Sequence, residues 1–398
     1  DAEHLARVAR TPRSQALVQR ARVVRMGIPA RLLSPSSDAR ARLRRLHGLD
    51  DTLVLLFLGR LVPVKGADAR LEPHIAALQA QDYPDYRLQY LVESPEDPAC
   101  EVLRAHGCDP LVAGRCEHGG QKVHNLMAGL RALRESDQVV VFSDADGVPS
   151  DQWLRRLVDP LRRTSVGATT GYRWLLPGAG LASAFLAVIN ASVATLTGPG
   201  WRSFAWGGAT ALRRELIDEA RLADFWAGAL SDDFRLSQAI RRTARSMLFL
   251  PAGMVASPVA ITWRRLWEFG RRQHLITRLH VPWIWWVGLS ATGLYTAAFA
   301  SAIVAQFSGG AIAKTGLSVY ACVCVLDAWR GSFRYRAERR LFPVAGDWRT
   351  WLLERVFTPS WMGLHFLIIL SSAVGHCITW AGVTYDLRDP EAVRIVRR

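Results

Sequence analysis

Asp144 and Asp146 stand one residue apart in "FSDADG", directly after the apolar run "QVVV". In an extended chain residues i and i+2 point the same way, so both carboxylates face one side of a strand end. Carboxylates held that close repel unless a cation sits between them. Mg2+ or Mn2+, which prefer hard oxygen ligands, is the expected ion, held by Asp144 and Asp146. The plain alternative is an Asx-type turn closing the strand. A second pair, Asp232 and Asp233 in "LSDDFRLSQAIR", opens a helix, where acidic residues also sit for purely helical reasons. Four more groups complete the set: Asp97 in the Pro-flanked "ESPEDPA", Lys122 and Asn125 in "KVHNL", Gly207 and Gly208 in "WGGATALRRE", and Arg272 in "RRQHLITR". Lys122 and Asn125 read equally well as a solvated helix start, whereas the two glycines would let backbone approach a ligand closely.

These groups need a scaffold. "TLVLLFLG", "YRLQYLVES", "QVVVFSD" and "SVGATTGY" read as strands. Between them "LEPHIAALQAQ", "KVHNLMAGLRALRES" (Leu126, Leu130 and Leu133 on one face) and "SDQWLRRLVDPL" (capped by Ser150) read as helices. Alternating strands and helices predict an α/β domain with a mostly parallel sheet covered on both faces. Ligands of such sheets lie beyond the carboxyl ends of strands, which is where "FSDADG" falls. Residues 1–50 are Arg-rich, with a short exposed helix expected in "PSSDARARLRRLHGLDD". The sequence opens at Asp1 without Met or signal peptide, as a truncated or processed piece would.

Past residue 280 the composition changes. Pro282 to Phe307, roughly 312–329 and roughly 361–380 are long apolar stretches, each approaching the ~20 residues that cross a bilayer. Trp283, Trp285, Trp286, Trp329, Trp361 and Trp380 crowd their ends as an aromatic belt would. Basic residues before the first stretch and across 330–358 predict the cytoplasmic side. A third crossing would place the basic tail 386–398 outside, against its arginines, so a re-entrant last segment stays open. "LASAFLAVINASVATL" is short for a span and reads as a buried or interfacial helix. The expected organisation is a segment 1–50, a catalytic domain 51–280, a transmembrane region 281–385 and a tail 386–398. The net charge of +15 over 398 residues would suit nucleic acid, anionic lipid or an anionic substrate; with no nucleic-acid motif beside it, no nucleic-acid partner is expected. The six cysteines are scattered and read as reduced and structural.

The ordered set "PVKGAD", "QDYPDY", "ESPEDPA", "KVHNL", "DAD", "WGGATALRR", "SDDFRL" and "RRQ" resembles the membrane-bound inverting glycosyltransferases of the ceramide glucosyltransferase type, family-2-like enzymes of GT-A fold. The likeness runs from Pro63 to about Pro282 and extends to the apolar stretches. It implies a GT-A, Rossmann-like mixed sheet with C-terminal transmembrane helices. It also implies a hexose moved from a nucleotide sugar, UDP-linked, to a lipid hydroxyl such as that of ceramide, at the cytoplasmic face of a bacterial inner membrane. By the same likeness Asp97 holds the uracil end of the donor and Lys122 and Asn125 lie near it. Asp144 and Asp146 take the metal and diphosphate, Gly207 and Gly208 approach the sugar, Asp233 is the general base, and the neighbouring Asp232 points elsewhere. Arg272 matches the arginine of the Gln/Arg-x-x-Arg-Trp motif, but Gln273 stands where tryptophan is expected. The chemistry suits these types: a carboxylate takes the acceptor's proton while a metal and cations stabilise the departing diphosphate. A processive polysaccharide synthase and a non-catalytic membrane scaffold of the same fold are the alternatives. Residues 23–68, with Arg60 and Lys65 in "GRLVPVKGAD", also resemble the donor-binding half of retaining GT-B enzymes.

Overall fold

The computed structural model describes residues 53–58, 71–343 and 346–398. The helix expected near residues 35–51, and the "GRLVPVKGAD" segment with Arg60 and Lys65, lie outside the described residues.

Strand β1 (Leu53–Leu58) is followed by helix α1 (Leu71–Gln79), then β2 (Tyr86–Gln89), β3 (Leu91–Val92), α2 (Ala99–Ala105), β4 (Leu111–Val112), α3 (Gln121–Arg131) and β5 (Asp137–Ser143). Next come α4 (Trp153–Val158), β6 (Val166–Thr170), β7 (Arg173–Pro177), α5 (Leu181–Ala194), β8 (Ala209–Arg213), α6 (Arg214–Glu219), α7 (Leu222–Trp226) and α8 (Asp232–Arg241). Strands β9 (Ser246–Phe249) and β10 (Val255–Val259) lead to α9 (Trp263–His280), α10 (Pro282–Ala305), α11 (Gly310–Leu341), α12 (Trp348–Arg355) and α13 (Thr358–Ser371). A last sheet holds β11 (Cys377–Trp380), β12 (Val383–Asp386) and β13 (Arg394–Arg397).

The central sheet runs β2-β1-β5-β8-β6-β9. β8 lies antiparallel to both β5 and β6, and the other pairings are parallel. The sheet is therefore mixed, with one reversed strand at its centre. β5 shows why both faces are covered. Val139 and Val141 pack with Leu71, Ile75 and Leu78 of α1 and with Trp153. Val140 and Phe142 pack on the other side with Val123 and Leu126 of α3 and with Trp226. Period-2 alternation between two apolar layers produces the unbroken hydrophobic run seen in the sequence.

Two local expectations change. The strand expected over 86–94 divides at Tyr90, with β2 in the central sheet and β3 pairing β4. Helix α4 starts at Trp153 with no side-chain cap; Ser150 contributes its carbonyl, which accepts from the Trp153 N–H at 3.0 Å.

Helices α10 and α11, of 24 and 32 residues, are long and apolar enough to cross a membrane. Trp286, Val287, Leu294, Ile303 and Val304 of α10 and Ile312, Leu317, Val325 and Leu326 of α11 are exposed. α11 continues without a break through the arginines of 330–341, so that segment is helix rather than loop. The stretch 361–380 is not a third span. α13 has 14 residues, about 21 Å of helix against a hydrocarbon core of about 30 Å. The chain then turns into β11, which pairs with β12. Trp361, Ile368 and Ile369 of α13 are buried. α5, apolar but short, is buried as expected, packed with Leu266, Leu353 and Trp361.

Beyond β12 the chain returns to the sheet domain. The Val393 N–H donates to Gly228 O, and the Gly119 N–H donates to Val393 O, each at 2.9 Å. Arg235 of α8 pairs with Glu391 at 2.6 Å, and Arg398 donates to Cys116 O. Leu387 and Val393 share a buried cluster with Leu230, Leu275 and Ile276. The tail is thus packed on the sheet domain.

Candidate active site

The reversed strand builds the site. Ser143, the last residue of β5, pairs with Ala209, the first of β8. Antiparallel register therefore sets Asp144 beside Gly208, and the turn Trp206–Gly208 beside the end of β5. A Cβ on Gly208 would lie 2.7 Å from Asp144 Oδ2 and would overlap the Trp206 ring. A Cβ on Gly207 would overlap Asp232 Oδ2, and the Gly207 N–H donates to Asp233 Oδ1. What the paired glycines admit in this structure is the close approach of carboxylates to backbone.

α3 and α8 bring their N-termini to the same place. Gly119, at φ +81°, packs on the backbone of Gly228, itself at φ +71°; a Cβ on Gly119 would lie 2.9 Å from Gly228 C. The Gly120 N–H donates to Ala229 O at 2.9 Å. Ser231 caps α8 by accepting from the Phe234 N–H, and Trp226 Nε1 donates to Asp232 O at 3.2 Å. This junction delivers Lys122 from α3 between two acids: its Nζ is 2.9 Å from Asp144 Oδ1 and 2.9 Å from Asp232 Oδ2. The second contact is an ion pair by distance; no aligned hydrogen bond reaches Asp232 Oδ2 among the described residues.

Electrostatics follow from burial. Burial pushes Asp233 well above the usual carboxylate range and Asp232 adds to it, against Lys122 and the Gly207 N–H. Asp144 is raised by burial, with Lys122 opposing and Asp146 and Asp232 adding. Burial alone would lower Lys122, but Asp144, Asp232 and Asp233 hold it well above its ordinary value. Two cations, Lys122 and Arg173, stand against the four carboxylates Asp144, Asp146, Asp232 and Asp233, and a divalent cation fits this all-oxygen donor set. Asp144 and Asp146 are the residues that would hold it.

Asp146 is engaged by Arg173 of β7, Nη2 to Oδ2 at 2.7 Å, and its backbone carbonyl accepts from Ser257 Oγ at 2.6 Å. Arg272 of α9 has its guanidinium 5.3 Å from the Phe269 ring centre and 5.4 Å from that of Trp380. Burial, and then the charge of Arg173, lower its pKa to about 10. Asn125 is fully buried, accepting from Gln121 Nε2 at 2.8 Å, and its Nδ2 has no hydrogen-bond partner among the described residues. Lys122 is 8% exposed, so neither residue belongs to a solvated helix start. Asp97 is buried after β3, where its Oδ1 accepts from the Ala99 N–H at 3.0 Å and opens α2. The structure thus brings Lys122, Asp144, Asp232, Asp233, Gly207 and Gly208 into direct contact. Asp146 joins through the DAD turn, and the charge of Arg173 is felt at Arg272.

Asp232 does not point elsewhere, because the helix start turns both carboxylates inward. Arg173 was not singled out from the sequence; its one signal is its place at the exit of the fourth strand, in "TTGYR". A separate trio, His376, Cys377 and Asp386, has ligand atoms within 4.8 Å of one another. Arg388 already occupies it, donating from Nε to His376 Nε2 at 2.8 Å, and a guanidinium there opposes a metal ion.

The model of glycosyl transferase family 21 matches residues 58–393. None of the curated protein sequences matches the chain. Among solved structures, a mannosyltransferase of Pyrobaculum calidifontis in complex with GDP-Man and Mn2+ is similar at 17% identity and TM-score 0.41, over 81% of this chain and 85% of that one. Glucosyl-3-phosphoglycerate synthase of Mycobacterium tuberculosis, in complex with Mn2+, UDP and glucosyl-3-phosphoglycerate, is similar at 18% identity and TM-score 0.39, over 59% of this chain and 81% of that one.

Proposed function

The chain belongs to glycosyl transferase family 21, and from that membership we propose a GT-A transferase that moves a hexose from a nucleotide sugar, UDP-linked, to a lipid hydroxyl such as that of ceramide, with inversion. The observation that carries this reading is Lys122 Nζ set 2.9 Å from both Asp144 and Asp232, with Asp233 in the same helical turn. Single displacement needs a leaving-group clamp and a base on opposite sides of the anomeric carbon, and in this reading Asp144 with Lys122 serves the first and Asp233 the second.

In this reading Asp233 takes the acceptor's proton. A carboxylate tied to an ammonium is a weaker base, and Asp232 and Asp144 are so tied. Among the described residues the Asp233 carboxylate accepts from the Gly207 N–H and has no cation at ion-pair distance, and its pKa is raised, so it is the stronger base. Asp144 and Asp146 would hold Mg2+ or Mn2+, which when bound supplies electrostatic stabilisation to the departing diphosphate. Lys122 orients Asp144 and Asp232 and keeps their charges apart. Asp97, Asn125 and Arg272 are assigned to the donor, Asp97 to its uracil end. Helices α10 and α11 are read as crossing the membrane, with the sheet domain and the tail on the cytoplasmic face, where the basic flanks favour anionic lipid.

The test is a panel of nucleotide sugars supplied to membranes containing the protein, with the lipid extract read by mass spectrometry. A lipid heavier by one hexose, dependent on Asp233 and on divalent cation, is the expected product. Transfer only to water-soluble acceptors would refute the lipid assignment. Calorimetry of UDP binding in excess chelator checks the metal: affinity unchanged from that with Mn2+ would refute its role.

A further inference from the structure

The reading above leaves one cation unexplained. Arg173 sits on Asp146, a residue assigned to the metal, and its Nη2–Oδ2 contact is 2.7 Å. The two cannot both hold Asp146 without strong mutual repulsion, since guanidinium and metal ion carry charge of the same sign. The backbone says which of them yields. Asp146 is pinned to β10 by Ser257 Oγ at 2.6 Å, and the adjoining Val148 N–H donates to Ala256 O at 2.8 Å. β10 in turn pairs with β7, Val255 opposite Arg173. The acidic turn and the arginine's backbone are therefore fixed to one ladder, and the free variable is the arginine side chain. That side chain has donor capacity in reserve, for its buried Nε has no hydrogen-bond partner among the described residues. Arg272, whose charge and that of Arg173 repel, is lodged against Phe269 and Trp380, with no carboxylate at ion-pair distance among the described residues. Two guanidiniums that feel one another's charge, with one carboxylate at ion-pair distance from Arg173 and none from Arg272 among the described residues, leave room for an anion. A planar fork of N–H groups matches phosphate oxygens in pairs.

We propose that Arg173 has two positions: on Asp146 when no divalent cation is bound, and on the donor's diphosphate, beside Arg272, once the cation takes Asp146. Arg173 would thereby hold the metal site's charge before loading and follow the negative charge to the leaving group afterwards. This rests on the nucleotide-sugar reading for its second position only. The first position, competition with the metal, requires no nucleotide.

The experiment uses the full-length protein in detergent, with Arg173→Ala and Arg173→Gln, and thermal unfolding to confirm that each variant is folded. Two variants of different volume separate lost charge from lost packing. Free Mn2+ is read by electron paramagnetic resonance without nucleotide. Both variants are expected to bind Mn2+ more tightly than wild type, since the competitor is gone; unchanged or weaker binding overturns the competition. Calorimetry at saturating Mn2+ then compares UDP with UMP. Loss of a charge-assisted contact to the second phosphate should weaken UDP about tenfold or more, with UMP affinity little changed. Equal loss for the two nucleotides overturns the diphosphate position. A wild-type protein that binds no UDP refutes the donor reading and the second position with it, while the Mn2+ arm still decides the first.

Discussion

Asp232 and Asp233 share one helical turn and differ in what surrounds them, and that difference can be measured. Asp233→Asn removes the base but keeps shape. Turnover should fall by about 10²–10⁴ with UDP affinity nearly unchanged, because the lost interaction belongs to the transition state. Maximal rates retained with weakened UDP would overturn the assignment. Asp232→Asn is not a silent change, since it strips Lys122 of one of two partners; lower turnover with lower thermal stability is expected. The same variant carries a pH signature. Asp233 acts only when ionised, so the rate falls as pH drops through its pKa. Burial and Asp232 hold that pKa above the ordinary carboxylate range. The acid limb of kcat/KM should therefore lie above the value near 3.9 of a free aspartate. Removing the Asp232 charge favours ionised Asp233 and should move the limb to lower pH. A limb that stays put would mean another group titrates.

At the scale of elements, the junction of α3 and α8 depends on two glycines packed backbone to backbone. Gly119 and Gly107 have similar positive φ, but a Cβ on Gly107 meets nothing within 4 Å while one on Gly119 strikes Gly228. Gly107→Ala should cost only the left-handed penalty, on the order of 1 kcal/mol. Gly119→Ala should cost more and reduce turnover by displacing Lys122. Thermal melts and initial rates of the two variants check this, and equal losses would deny the junction its role. The contrast also marks how far the sequence could be read. Strand β5 and its acidic turn were legible because alternation and burial are local. The reversal of β8 was not: "ATALR" carries no mark of direction, and register across the sheet decides it. Lys122 looked like a solvated helix start because its partners lie 22 and 110 residues further on, at Asp144 and Asp232. The segment 361–380 looked like a span because its apolar content is real, while the break after Ser371 depends on pairing of β11 with β12.

On the scale of the whole molecule, the sheet domain and the tail share a side, with the α10–α11 hairpin between them in the chain. If the hairpin crosses a bilayer, the protein should remain in membranes after alkaline carbonate washing; release would mean that these helices form an ordinary core. An epitope placed after Arg398 should be digested by protease in inverted vesicles and protected in right-side-out ones. The opposite pattern would place the tail, and the sheet domain on which it packs, on the other face of the membrane. The return of the chain to Gly119, Gly228 and Cys116 also bears on how the protein is handled. A purification handle or reporter appended at Arg398 begins against the loop that leads into α3. A bulky fusion there would act as a wedge under Lys122, so tags are better carried in the α10–α11 turn. A small fluorophore at position 398 would turn the same proximity into a gauge of ligand loading.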